Sequence, residues 1–186
     1  MFGDGMRLGQ RGQESAPFEL LVAVIIMGFV IFVGLQAMDQ LNKQKCYNEI
    51  NAKLEEMKTK LETVVTERSP QQINFTLSTC FNPNDETVRI KDYSEPEFCA
   101  EYCGSAKNLC TLLQYYYSGK DGFAIRKCLN VSPDTVFPYT MGTCPGKEGY
   151  ELKDYRDEIE QGYYLLVNKT SVTSTYPTVC AYRKED

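Results

Sequence analysis

Three hydrophobic patterns follow one another along the chain. From Leu20 to Met38 no residue is charged, and apolar side chains occupy every face that a helix would present. At ~1.5 Å per residue the run gives a helix of roughly 28 Å, about the thickness of a bilayer core. A helix satisfies its own backbone in lipid, so a membrane-spanning helix is the expected element. Glu19 stands at its start, where the helix macrodipole favours an anion.

The second pattern has helical period and one apolar face. Tyr47, Ile50, Leu54, Met57, Leu61 and Val64 step by 3, 4, 3, 4 and 3, with mixed charges between them. No glycine or proline lies between Leu35 and Ser69, and Pro70 ends the pattern. The apolar run and the amphipathic run together predict one helix of ~50 residues, on the order of 75 Å. The seam faces either the chain's own C-terminal domain or neighbouring subunits.

The third pattern has period two. Ile73, Phe75, Leu77, Thr79 and Phe81 alternate with polar positions and predict a strand with Asn74 on its polar face. Asn82-Pro83-Asn84-Asp85 reads as a turn and Thr87–Tyr93 as a second strand. Ser94 is the expected N-cap of a short helix, with Pro96 in its first turn and Glu97 as capping-box partner. Ala106–Tyr117 is expected to be a second helix. Its Tyr115-Tyr116-Tyr117 cluster is either core on one side and surface on the other, or a ligand platform. Phe123–Val131, Tyr163–Val167 and Val179–Tyr182 read as further strands, and 132–150 as a long loop that needs a staple or a function. The fold class expected is α+β: a long N-terminal helix, half membrane-spanning and half amphipathic, packed on a small disulfide-stapled antiparallel β-rich domain. Ile50, Leu54, Met57 and Leu61 are expected to pack against Ile73, Phe75 and Leu77.

Composition narrows the function. The chain has 186 residues, net charge −5, eight cysteines and no histidine. The absence of a large basic patch argues against nucleic acid as a partner. Without histidine there is no Ser-His-Asp or Cys-His pair. No phosphate-binding loop or dinucleotide fingerprint is present either. No catalytic residue, metal site or cofactor is expected, and the protein is not read as an enzyme. Cys46, Cys80, Cys99, Cys103, Cys110, Cys128, Cys144 and Cys180 include no C-x-x-C pair, which favours a disulfide framework in an oxidising compartment over zinc. Cys99 and Cys103 share one helix face and are expected to staple different partners. Cys46, alone on the long helix, is the candidate for a bridge to a second chain. Asn74, Asn130 and Asn168 head N-x-[ST] sequons and are candidate glycosylation sites. Cysteines and sequons together orient the C-terminal domain outside the cell; lysine and arginine are nearly balanced across the span and do not decide it.

Before the apolar run comes a short polar piece ending Arg11-Gly12-Gln13, then Ser15 and Phe18-Glu19-Leu20-Leu21-Val22-Ala23-Val24-Ile25-Ile26-Met27-Gly28. This arrangement resembles a type IV prepilin, specifically the archaeal class III signal peptide. The resemblance covers about Arg11 to Gly34. It implies cleavage after Gly12 by a prepilin-type peptidase, with Gln13 becoming the mature N-terminus and the apolar helix retained. It further implies that Glu19 pairs with the freed amine of a neighbouring subunit. The family's glutamate normally lies fifth after the cut, whereas Glu19 is seventh. The organisation expected is a polar leader, 1–12; a transmembrane or filament-core helix, 13–38; an amphipathic extension, 39–68; and a cysteine-rich extracytoplasmic domain, 69–186. The function expected is a structural subunit or minor component of an extracellular type IV pilus-like filament. The alternative is a monomeric membrane-tethered binding or adhesion domain. The partners expected are the lipid bilayer, like or related pilin-type subunits and the peptidase. The location expected is the cell membrane, as a single-pass protein, or the extracellular filament.

Overall fold

The computed structural model describes residues 16–77, 86–104, 108–117, 123–132, 134–137, 144–153, 156, 159–169 and 176–185. Gly12, Gln13, Cys80 and the 82–85 turn lie outside them.

One helix, α1, runs from Ala16 to Glu67 over 52 residues. Pro17 is its second residue, where a missing N–H costs nothing. Arg68 takes a left-handed conformation (φ 56°) just past its end, with Pro70 after it, so the chain leaves the helix sharply. Contacts divide the chain into two units that meet between Lys45 and Cys46. In the first unit, the described residues are all helical.

The second unit is α+β. Its strands are β1 (Gln71–Phe75), β2 (Glu86–Tyr93), β3 (Cys110–Tyr117), β4 (Phe123–Leu129), β5 (Tyr150–Leu152), β6 (Gly162–Asn168) and β7 (Val179–Lys184), with helix α2 (Pro96–Cys103) between β2 and β3. They form two antiparallel sheets, β1-β6-β7-β5 and β2-β3-β4. Each sheet turns one face to a shared core. Ile50, Leu54, Met57, Leu61 and Val64 of α1 meet Ile73, Phe75, Tyr164, Leu166, Val179 and Ala181 of the first sheet. From the second sheet come Val88, Ile90, Leu113, Tyr115, Ile125 and Leu129. Leu77 packs against this core while partly buried. The helical seam therefore serves the chain's own domain. It begins at Cys46, 7% exposed, and not at Tyr47, which is 46% exposed.

The outer face of each sheet is covered by a piece that disulfides hold down. On the three-stranded sheet the cover is α2, joined by Cys99–Cys110 and Cys103–Cys128. Leu112, on that face, is fully buried. On the four-stranded sheet Cys144–Cys180 anchors the cover. Leu165, Cys180 and Tyr182 form a second apolar cluster there with Cys144. The Tyr182 hydroxyl donates to the Pro145 carbonyl at 2.6 Å.

Beyond the first strand, which ends at Phe75 short of the expected Leu77, two local expectations fail. Cys110–Tyr117 is a strand, not part of a helix. It is the central strand of its sheet and buried on both faces, so neither period two nor period 3.6 shows in its sequence. Tyr115 is fully buried and Tyr116 46% exposed, which makes the tyrosine cluster core on one side and surface on the other. The α2 cap also differs. Glu95, not Ser94, precedes the helix, and its side chain makes no capping bond. Pro96 at the first position leaves one fewer unpaired N–H in the first turn. Gly104 closes the helix in the left-handed conformation (φ 62°) that glycine adopts without strain.

Candidate functional site

The feature that demands a functional account is the first unit of α1. Sixteen large apolar side chains from Phe18 to Leu41 are between 36% and 69% exposed. Removing such a side chain from water is worth ~1.5–3 kcal/mol. Together they amount to tens of kcal/mol, several times the ~5–15 kcal/mol that holds a typical domain folded. A face of this size is not compatible with lasting exposure to water. The helix is long and apolar enough to cross a membrane. Glu19 sits in the first turn of α1 and is exposed, as are Gly28 and Gly34, where an added Cβ would meet nothing within 4 Å.

The disulfides are the second element. Cys99 and Cys103 staple different strands, as their shared helix face requires. Cys46 is also disulfide-bonded and is buried. Among the described residues no cysteine is free, so Cys46 does not offer a thiol to a second chain.

A stack of aromatic rings runs from the end of β2 onto α2. Tyr93 and Phe98 stack at 4.4 Å between centroids, and Phe98 and Tyr102 follow at 4.7 Å. The Arg126 guanidinium lies 5.1 Å from the Tyr102 ring and donates to the Tyr102 hydroxyl at 3.0 Å. These contacts tie α2 to its sheet and explain why so short a helix holds its place.

The three sequons fall in different environments. Asn130 is exposed at the end of β4, with its backbone N–H donating to Glu62 at 2.7 Å and its side chain open to solvent. Asn74 is half-buried on edge strand β1, and its side-chain oxygen is buried without a hydrogen-bond partner among the described residues. Asn168 uses the very nitrogen a glycan would occupy. Its Nδ2 donates to the carbonyls of Val64 at 3.2 Å and Val65 at 3.5 Å, capping the last turn of α1. That engagement argues against Asn168 as an acceptor.

Ionisable groups in the second unit are tuned by position. Lys127, bonded to Glu55 at 3.0 Å, holds that carboxyl below its ordinary value. Burial pushes Glu86 upward, and one of its oxygens is buried without a partner among the described residues. Burial, then the nearby Glu160 charge, raises Tyr164 to about 12. Among the described residues no group of three or more Cys, Asp or Glu side chains is placed to hold a metal ion.

Comparison with known proteins returned no matching family model, no similar curated protein and no similar solved structure.

Proposed function

We propose that the chain is a structural subunit, or a minor component, of an extracellular type IV pilus-like filament. Its N-terminal helix anchors it in the membrane before assembly, and its stapled domain lies outside the cell. One observation carries the reading. A single helix devotes residues 18–41 to a face that buries nothing within the chain, and residues 46–64 to the core of a folded domain. A subunit that moves from a bilayer into a filament core needs such a face, because both surroundings are dry. Paired cysteines support an oxidising compartment for the domain. Asn130 is the acceptor through which the protein would be a glycoprotein.

In this reading a prepilin-type peptidase cuts after Gly12, and Glu19 meets the Gln13 amine of a neighbouring subunit. A carboxylate carried from the helix edge into a dry filament core is costly to bury unpaired, which gives the pairing its driving force. The test compares wild type with Glu19→Gln for membrane abundance and for filaments sheared from cells, alongside intact mass. The expected result is a mass starting at Gln13, with filaments lost from the variant while membrane levels hold. A full 186-residue mass with no filaments from wild type would replace this reading with the tethered binding or adhesion domain.

A further inference from the structure

The second unit contains a groove that neither anchoring nor assembly uses. It lies where the lead-in to β7 passes the free edge of β2. Val136 makes a parallel bridge to Thr178, its N–H donating to the Pro177 carbonyl at 2.8 Å and its own carbonyl accepting from Val179 at 3.0 Å. On the other side, Ile90 N–H donates to the Arg156 carbonyl at 2.8 Å. The open groove offers about 360 Å³.

Its lining has two characters. Val136, Phe137 and Tyr176 give an apolar wall. Phe137 is buried behind it, whereas Val136 and Tyr176 are 41% and 48% exposed. The polar lining combines acceptors and donors. Asp92 and Arg156 pair at 3.0 Å, and the Thr111 hydroxyl donates to the other Asp92 oxygen at 2.7 Å. Both groups are therefore held in position. Asp134 has no ion pair among the described residues. The Thr135 hydroxyl oxygen is buried and has no hydrogen-bond partner among the described residues, an unusual state for a buried polar atom.

We propose that this groove binds a neutral sugar residue. A pyranose presents apolar C–H faces and a rim of hydroxyls, each both donor and acceptor. The Tyr176 ring and Val136 suit the C–H face. Carboxylates that accept and a guanidinium that donates suit the rim. The volume falls in the range of small-molecule sites. Two carboxylates against one guanidinium disfavour an acidic sugar. A basic ligand would find only one unpaired carboxylate, Asp134, and an exposed ion pair of that kind holds weakly. Binding here does not depend on polymerisation, so it stands or falls apart from the filament reading.

The test uses the full chain, made without glycans and held in a detergent with no sugar headgroup. Glucose, galactose, mannose, N-acetylglucosamine and glucuronate are titrated, with free arginine as the basic probe, and saturation-transfer NMR reads binding. At least one neutral sugar should saturate. Tyr176→Ala and Asp134→Asn should each weaken it about tenfold or more. Lys43→Ala, in the first unit, should not change it. Saturation by arginine or glucuronate in preference to every neutral sugar would overturn the proposal. So would neutral-sugar binding that survives both groove variants, or no binding by any of the sugars while circular dichroism shows the chain folded.

Discussion

Residues 18–41 and 46–64 belong to the same helix yet solve opposite problems. The first stretch is apolar on every face and buries none of it; the second confines its apolar residues to a seam and buries all five of Ile50, Leu54, Met57, Leu61 and Val64 to 1% exposure or less. Backbone hydrogen bonding is the same in both. What differs is the surroundings each sequence is written for. A one-sided seam presupposes water on the other side; an all-round apolar surface presupposes none. The difference teaches that helix propensity explains neither stretch, and that the pattern of side chains around the axis names the environment.

The comparison breaks most visibly if a charge is moved between the two stretches. Leu54→Asp puts a carboxylate into a fully buried site and should cost the domain several kcal/mol, read as lost cooperative unfolding by near-ultraviolet circular dichroism of the full chain. Ile26→Asp should leave that domain transition unchanged but reduce recovery in the membrane fraction, at ~2.5–3.5 kcal/mol per central charge on insertion scales. Equal unfolding transitions for the two variants would end the distinction drawn here.

Disulfides sharpen it by acting on one side alone. Removing Cys144–Cys180, which closes a separation of 36 residues, should cost ~2–5 kcal/mol. Removing Cys99–Cys110, with a separation of 11, should cost about 1 kcal/mol less on chain-entropy grounds. Denaturant midpoints of the paired cysteine-to-serine variants measure both, and membrane extraction should not move. A larger loss from the shorter loop would mean that α2 carries more of the fold than its position on the outer sheet face suggests.

The smallest effects come from two carboxyls shifted in opposite directions. Glu55, held low by Lys127, contributes stability above its ordinary value near 4.5, and that contribution is lost as pH falls through its lower folded value. Glu86 is raised by burial, so its charge costs stability once pH climbs from about the ordinary 4.5 through its higher folded value. Glu86→Gln should therefore raise the neutral-pH melting temperature, by on the order of 1 kcal/mol of stability, the scale for an unsatisfied buried acceptor. Glu55→Gln should lower it by less than about 1 kcal/mol, since the pair is partly exposed. Both differences should vanish in acid, where all four side chains are uncharged. Thermal melts from pH 3 to 7 check the two signs.

The elements most legible from the residues alone were those with one wet face or one uniform environment. The apolar run, the Ile50–Val64 seam, and the strands containing Ile73 and Phe75 or Val88 and Ile90 all announce themselves by period, because periodicity records a contrast between two sides. The sequence likewise showed that Cys99 and Cys103 had to seek separate partners. It determined, too, that no histidine-based chemistry is available to this chain. Tertiary structure decided the rest. Cys110–Tyr117 became a central strand because α2 covers one face and the core the other, which erases the contrast that a period needs. Whether the strands formed one sheet or two, and which cysteines paired, depended on contacts between residues far apart in the chain. The groove is the extreme case. Asp92, Asp134, Arg156 and Tyr176 lie in four separate segments, and only the path of the chain past the β2 edge brings them to one space. Local patterning specifies which face of an element is dry; it carries no information on which other element makes it so.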